Sequence, residues 1–474
     1  MRQILTLALL CISYLTNAQQ VQFTSDDFPG IEKNMINTNH YYLPLNNNEF
    51  LIAVGRANRD DVTLVKSDKN CKTLWSVPNI EGYLSAANFG RNILVFSAGN
   101  SGKNGYYVSD AIHATLLDNG SGKIITEKDI PTYTKKAVTD IYVLTDSSGN
   151  FKYLILRSTK QGRPKIAESF NDLEDFGHTE NLHAISLNNN LNINASSLDV
   201  TGIEKAEFLG CTCDNNNDIF LASIQDNLIS VSKYDAGSSK VTATVTATCN
   251  FGHEVVNTVG DITINQNNVW LACRFHEAKE MHRSLVTGIF NFNNKNGLIK
   301  QDLLDKDYLK HYAEKTSDLW IIGTQVYGDK LVVIKEFTTY HQTSSNSGYV
   351  GFGPLIISVY SSDMKLLKEV SADERMSAFY GLSNSFYKLI DNNLYVFYNS
   401  TKFSGIHPVY QVIDLDNFSV SDAKEIKIDD AKLNMLMYSP GIVWFNHTAL
   451  LPYATQTSLL NPNKMVTKFK IVDF

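Results

Sequence analysis

The chain has 474 residues, 43% of them hydrophobic and 19% charged, and a formal net charge of −7 at pH 7. That composition excludes a disordered chain. The lack of any basic stripe argues against a nucleic-acid partner, and no stretch after the first 18 residues is apolar enough for a membrane span.

Residues 1–18 read as a secretory signal. Arg2 is the charged start, the apolar run begins at Ile4, and Thr16-Asn17-Ala18 fits a small-residue cleavage site. Cleavage near Ala18 predicts a secreted or periplasmic protein with a single domain over residues 19–474. Of the six cysteines, Cys11 lies in the signal. Cys71, Cys211, Cys213, Cys249 and Cys273 remain, an odd number that leaves at least one thiol unpaired within the chain. Their pairing is left open.

The stretch 83–130 reads as four strands, at 83–88, 92–98, 112–118 and 123–130. The same four-strand unit, labelled A to D, can be assigned eight times. Its B strands are the clearest: residues 50–54, 92–98, 151–157, 218–223, 268–273, 330–335, 393–398 and 441–445. Asn92-Ile93-Leu94-Val95, Asp218-Ile219-Phe220-Leu221, Asn268-Val269-Trp270-Leu271 and Asn393-Leu394-Tyr395-Val396 share one pattern, a polar turn residue followed by a short apolar run. Such runs predict strands buried on both faces. The A–B turns (46–48, 215–217, 266–267, 328–329) are rich in Asn, Asp and Gly, which tolerate positive φ. Separate β-sandwiches do not require eight similar copies. An all-β fold, a β-propeller of eight four-stranded blades, accounts for them. The count becomes seven if the terminal unit is not a blade. That unit, with A at 434–439, B at 441–445 and C at 465–474, is one strand short. Residues 20–24 are expected to supply the fourth strand and close the propeller with both termini.

The B–C connections are often long: 99–111, 158–181, 276–283, 337–353 and 399–407. They leave on one face, where a rigid scaffold usually carries function. Its binding candidates are Tyr106, Tyr107, His276, His282, Tyr340, His341, Tyr349, Phe352, Phe403 and His407. Exposed aromatic rings suit a protein or glycan ligand. His276 and His282 lack the His-Glu-x-x-His spacing, and residues 162–178 lack the spacing of a calcium loop, so no metal is expected. Neither a nucleophile elbow nor a phosphate loop is present, and catalytic residues and cofactors stay unassigned.

Thr115-Leu116-Leu117-Asp118-Asn119-Gly120-Ser121-Gly122-Lys123 resembles the C–D connection of quinoprotein-dehydrogenase-like propellers. In that family an Asp and Gly-Lys precede a Trp that docks blades together. Thr126 stands where that Trp would be. The stretch from Val65 keeps a Trp, Trp75, with Cys71 in place of the Gly. The resemblance implies a propeller, commonly of eight blades, and no quinone or haem ligand can be matched. Three functions compete. One is a monomeric binding module using the long-loop face. The second is an extracytoplasmic enzyme acting on a carbohydrate or redox substrate at the channel mouth. The third is a component of a surface assembly.

Overall fold

The computed structural model describes residues 20–21, 40–45, 49–55, 61–69, 72–98, 111–133, 138–146, 149–159, 179–198, 200, 206–225, 227–235, 240–249, 255–265, 268–277, 280–293, 297–304, 317–344, 347–372, 376–379, 386–400, 407–426, 434–436, 443–445, 448–456 and 465–473. The predicted signal and the loops around Tyr106, Tyr107 and Phe403 lie outside these residues.

All regular structure among the described residues is β. After β1 (Gln20–Val21), the first sheet holds β2 (His40–Leu45), β3 (Glu49–Gly55), β4 (Asp61–Asp68) and β5 (Thr73–Glu81). The second holds β6 (Tyr83–Phe89), β7 (Asn92–Ala98), β8 (Ala111–Leu117) and β9 (Ile124–Pro131). The third is β10 (Val138–Thr145), β11 (Phe151–Thr159), β12 (Thr179–Leu187) and β13 (Ile193–Ser197). The fourth is β14 (Glu207–Cys213), β15 (Ile219–Gln225), β16 (Leu228–Tyr234) and β17 (Val241–Thr248). The fifth is β18 (Val255–Asn265), β19 (Asn268–Glu277), β20 (Glu280–Asn293) and β21 (Gly297–Leu304). The sixth is β22 (Ser317–Tyr327), β23 (Lys330–Ser344), β24 (Ser347–Tyr360) and β25 (Leu366–Ala372), with β26 (Met376–Phe379) added beside β24. The seventh is β27 (Phe386–Ile390), β28 (Asn393–Ser400), β29 (His407–Asp414) and β30 (Lys424–Glu425). Each pairs antiparallel in chain order. These are the seven four-stranded sheets of a β-propeller.

The remaining strands, β31 (Asn434–Leu436), β32 (Val443–Phe445), β33 (Thr448–Gln456) and β34 (Met465–Asp473), form an irregular terminal set. β31 and β32 both pair with β33, β33 pairs with β34, and β34 meets β1 at Gln20↔Lys470 and Val21↔Phe469. This corrects the sequence reading of the last unit: residues 443–445 lie at its edge, and the interior strand is β33. Thr448–Gln456 carries a proline, Pro452, inside its run, which the B strands with the shared pattern do not.

The core explains the apolar B strands. A strand sends successive side chains to opposite faces, and here both faces are seams between sheets. Ile93 and Val95 pack with Leu51 and Leu64 of the first sheet, whereas Leu94 and Phe96 pack with Leu154 and Leu156 of the third. The alternation continues. Ile155 meets Leu221, Phe220 meets Leu271, Trp270 meets Val333, and Ile334 meets Val396. Phe397 then packs with Ala449 and Leu451 of the terminal set, and β2 of the first sheet lies beside β32. The expected polar turns are also present: Asn217 and Gly328 adopt φ of 66° and 60° between their A and B strands.

Candidate functional site

The two ends of the sheets differ. At the end bearing the A–B and C–D turns, side chains of one sheet bond to a connection of the next. The Trp75 indole N–H and the Lys66 ammonium donate to the Asn119 carbonyl, at 2.9 and 2.6 Å. The Tyr153 hydroxyl donates to the Asn217 carbonyl at 3.2 Å, and the Asn291 amide to the Ser362 carbonyl at 2.6 Å. Asn265 donates to the Gly328 carbonyl, and the Tyr327 hydroxyl to the Asp416 carboxylate at 2.6 Å. This end is occupied with holding sheet to sheet. It includes the turn read as resembling quinoprotein-like propellers, with Trp75 in the docking role.

The opposite end carries the sequence candidates. Two connections expected as loops, 276–283 and 337–353, are instead largely strand. β19 and β20 stay paired to Glu277↔Glu280, and β23 and β24 to Ser344↔Ser347. The physical reason is backbone satisfaction: Thr338, Thr339, Tyr340, Val350 and Phe352 favour strands, and a ladder pairs amides that an open loop leaves to water. The extension of β23–β24 beyond the Glu336↔Leu355 pair follows a bulge, and β26 joins it. The Thr, Tyr, Val and Phe residues on both sides of residues 345–346 favour strands by type, without alternating, and are the sequence signal for this hairpin.

Within this ribbon the register sets His341 opposite Tyr349, and Tyr349 opposite Phe379 of β26. The adjacent rows are Tyr340–Val350–Ala378 and, two positions on, Thr338–Phe352–Met376. Four candidates, Tyr340, His341, Tyr349 and Phe352, thus lie in neighbouring rows of two paired strands, β23 and β24, with β26 beside them. Phe379 and Met376 are additions that sequence reading missed, because a four-residue strand between two sheets has no periodic signature. The other candidates are spread out. His276 lies on β19 opposite Val256 and Ser284, His282 lies on β20 in the irregular stretch before Ser284, and His407 starts β29 opposite Ser400. Tyr106, Tyr107 and Phe403 are outside the described residues.

The ribbon stands on a charged base. Lys335 and Glu336, the last residues of β23 before it, are fully buried. The Lys335 ammonium sits 3.1 Å from Glu369, and the Ser358 hydroxyl donates to the same carboxylate oxygen at 2.5 Å. A buried pair like this holds two strands in one arrangement, at a desolvation cost that apolar residues avoid.

A second cluster lies on the inner strands β18, β22 and β27. The Thr324 hydroxyl donates to Asp261 at 2.8 Å. Burial lifts the Asp261 carboxyl above the usual carboxylate range, against the opposing effect of the Thr324 bonds. Burial, then the nearby Asp261 charge, push the Tyr387 phenol up to about 12. The Tyr387 hydroxyl occupies the place where a side chain at residue 323 would begin. A Cβ on Gly323 would lie 1.5 Å from it. Gly323 follows a register shift in β22, and the extra residue there redirects the strand. Among the described residues, no group of three His, Cys, Asp or Glu side chains could hold a metal ion.

No protein-family model and no curated protein sequence matches the chain. Solved structures to which it is similar include a Dos1 propeller, at 10% identity and TM-score 0.49, over 95% of this chain and 94% of that one. Another is NirN, a dihydro-heme d1 dehydrogenase, at 12% identity and TM-score 0.45, over 96% and 79%. A third is a prolyl endopeptidase, at 10% identity and TM-score 0.44, over 91% of this chain and 57% of that one. The chain thus spans little more than half the length of the endopeptidase. At these scores the similarities bear on neither ligand nor reaction.

Proposed function

We propose that this protein is an exported, monomeric, single-domain binding module whose B–C end engages a protein or glycan. One observation carries the reading. The turn end is engaged in sheet-to-sheet bonds, whereas the B–C end is prolonged into the ribbon that gathers Tyr340, His341, Tyr349, Phe352 and Phe379. Prolonging paired strands beyond the core orders many residues, a cost that interactions outside the core would offset. The test compares the intact chain with one in which residues 338–352 are replaced by a short turn. Both are screened against an immobilised oligosaccharide panel and as bait for extracellular proteins. The module reading expects a partner that binds the intact chain and is lost on trimming, with the melting temperature nearly unchanged. Equal capture by both forms would overturn it.

A second reading, an enzyme acting on a carbohydrate or redox substrate at the mouth of the axial channel, draws on Asp261 and Tyr387. A carboxyl held above its usual range beside a phenol is the kind of pair that transfers protons.

The reading also includes eight blades closed by both ends of the chain, with β1 as the outermost strand of the terminal set. The two β1–β34 residue pairs support it. Deleting residues 19–30 is expected to lower the melting temperature, and unchanged melting would remove the idea.

A further inference from the structure

We propose that Cys249 and Cys273 form a disulfide that joins the fourth sheet to the fifth. Both are thiols in this structure, and both are fully buried in the cluster that fills the seam between these two sheets. Cys249 directly follows β17, and its N–H donates to the Asn227 carbonyl at 2.7 Å. That bond fixes where its side chain enters the seam. Cys273 lies on the face of β19 that also sends Val269 and Leu271 into this seam.

The neighbours of Cys273 leave room for a second sulfur. Its cross-strand partners are Gly260 on β18 and Gly288 on β20. Partners opposite one another share a face, so both flanking positions in that row lack side chains. Burial first, and then the charge of Cys249, raises the Cys273 thiol, which agrees with the two lying near each other. The competing pair is Cys211 and Cys213, two positions apart on β14. Neighbouring same-face positions of an extended strand are about 6.6–6.8 Å apart with parallel side chains, at the limit of disulfide geometry. Cys213 instead points its thiol at the Thr145 carbonyl of the third sheet, 3.9 Å away.

Closing the bond removes a proton and an electron from each thiol. The oxidant is a disulfide compound, such as oxidised glutathione or the disulfide of an oxidoreductase, which is reduced to two thiols in exchange. Since both sulfurs end fully buried, exchange takes place during folding, before the seam seals. The bond anchors the end of β17, an outer strand with neither charged residue nor proline to guard its open edge. In the cell this rests on the proposed export, because such bonds persist in oxidising compartments. The chemistry itself does not depend on it.

The test uses the full chain refolded in a mixture of oxidised and reduced glutathione, and the same chain purified after export from an expression host. Each sample is denatured, alkylated without reductant, and cleaved by chymotrypsin, since no Lys or Arg separates the two cysteines. The proposal expects the peptides containing Cys249 and Cys273 to be linked, with Cys211 and Cys213 alkylated. It also expects Cys249→Ala to expose Cys273 to alkylation, and Cys273→Ala to expose Cys249, with a lower melting temperature than the oxidised parent. Alkylation of both Cys249 and Cys273 in the refolded chain, or linkage of either to another cysteine, would overturn it. Linkage after refolding in a chain that the host fails to export would keep the bond and count against export alone, whereas an exported chain with both thiols alkylated would overturn the bond.

Discussion

The Trp75 indole reaches 44 residues along the chain to donate to the Asn119 carbonyl at 2.9 Å, and Gly122 lies directly beneath its ring. This is the joint between the first two sheets. Trp75 is 8% exposed, and Lys66 donates to the same carbonyl.

Trp75→Ala should therefore destabilise the protein by about 3–5 kcal/mol, the usual cost of emptying a buried aromatic site. Gly122→Ala should also destabilise, by about 1–3 kcal/mol or more. Its Cβ would fall 2.7 Å from the Trp75 ring, at a φ of +70°. Urea unfolding of both variants checks this, and a Gly122→Ala protein as stable as the parent would contradict the joint.

The base of the ribbon makes a different prediction. Removing one partner of the Lys335–Glu369 pair leaves a buried charge and should cost about 3–5 kcal/mol, whereas replacing both by apolar residues should recover much of it. A double-mutant cycle of Lys335→Met and Glu369→Leu, read by chemical unfolding, tests this. Additive losses would mean the two groups act independently.

Asp261 sets a pH dependence. Its carboxyl is raised in the folded state, so between the ordinary carboxylate value and the raised one the folded chain binds more protons than the unfolded chain. Stability then falls as pH rises through that window. Asp261→Asn should flatten this slope and leave the protein more stable than the parent above it. Melting curves collected from about pH 4 upwards measure it. An unchanged slope would show that other groups dominate.

His113 has the same sign, set by bonds rather than burial, in a higher pH window. Its ring nitrogens lie 2.8 Å from Asp129 and 3.3 Å from Glu127, both on the outer strand β9. Burial alone lowers the imidazole, but the bonds to Asp129 and Glu127 together outweigh it and raise it. A raised value in the folded state contributes stability that is full below the ordinary histidine range and fades as pH rises through the raised value. An NMR titration should place His113 above an exposed histidine, and Asp129→Asn should bring it down.

The amino-acid order alone carries much of the repeat. Short apolar runs after Asn or Asp mark the B strands because each face of β7, β15, β19 and β28 is a seam. The polar turns are legible because positive φ favours Asn and Gly. Local chemistry also marks Asp118 to Lys123 as a special turn, and Asp118 does fold it, accepting bonds from the Ser121 backbone and hydroxyl.

Other features were decided by residues distant in the chain. Nothing near Trp75 names Asn119 as its acceptor, and nothing near Asp261 names Thr324 and Tyr387. The 276–283 and 337–353 segments read as loops because no core-facing pattern runs through them, yet their backbones find partners across a hairpin and become strand. β33 and β26 were hidden for a related reason: strand identity there comes from the neighbour supplying the hydrogen bonds, not from local periodicity. Periodicity reports which faces are buried. Only packing decides which seam a side chain enters and what it meets there.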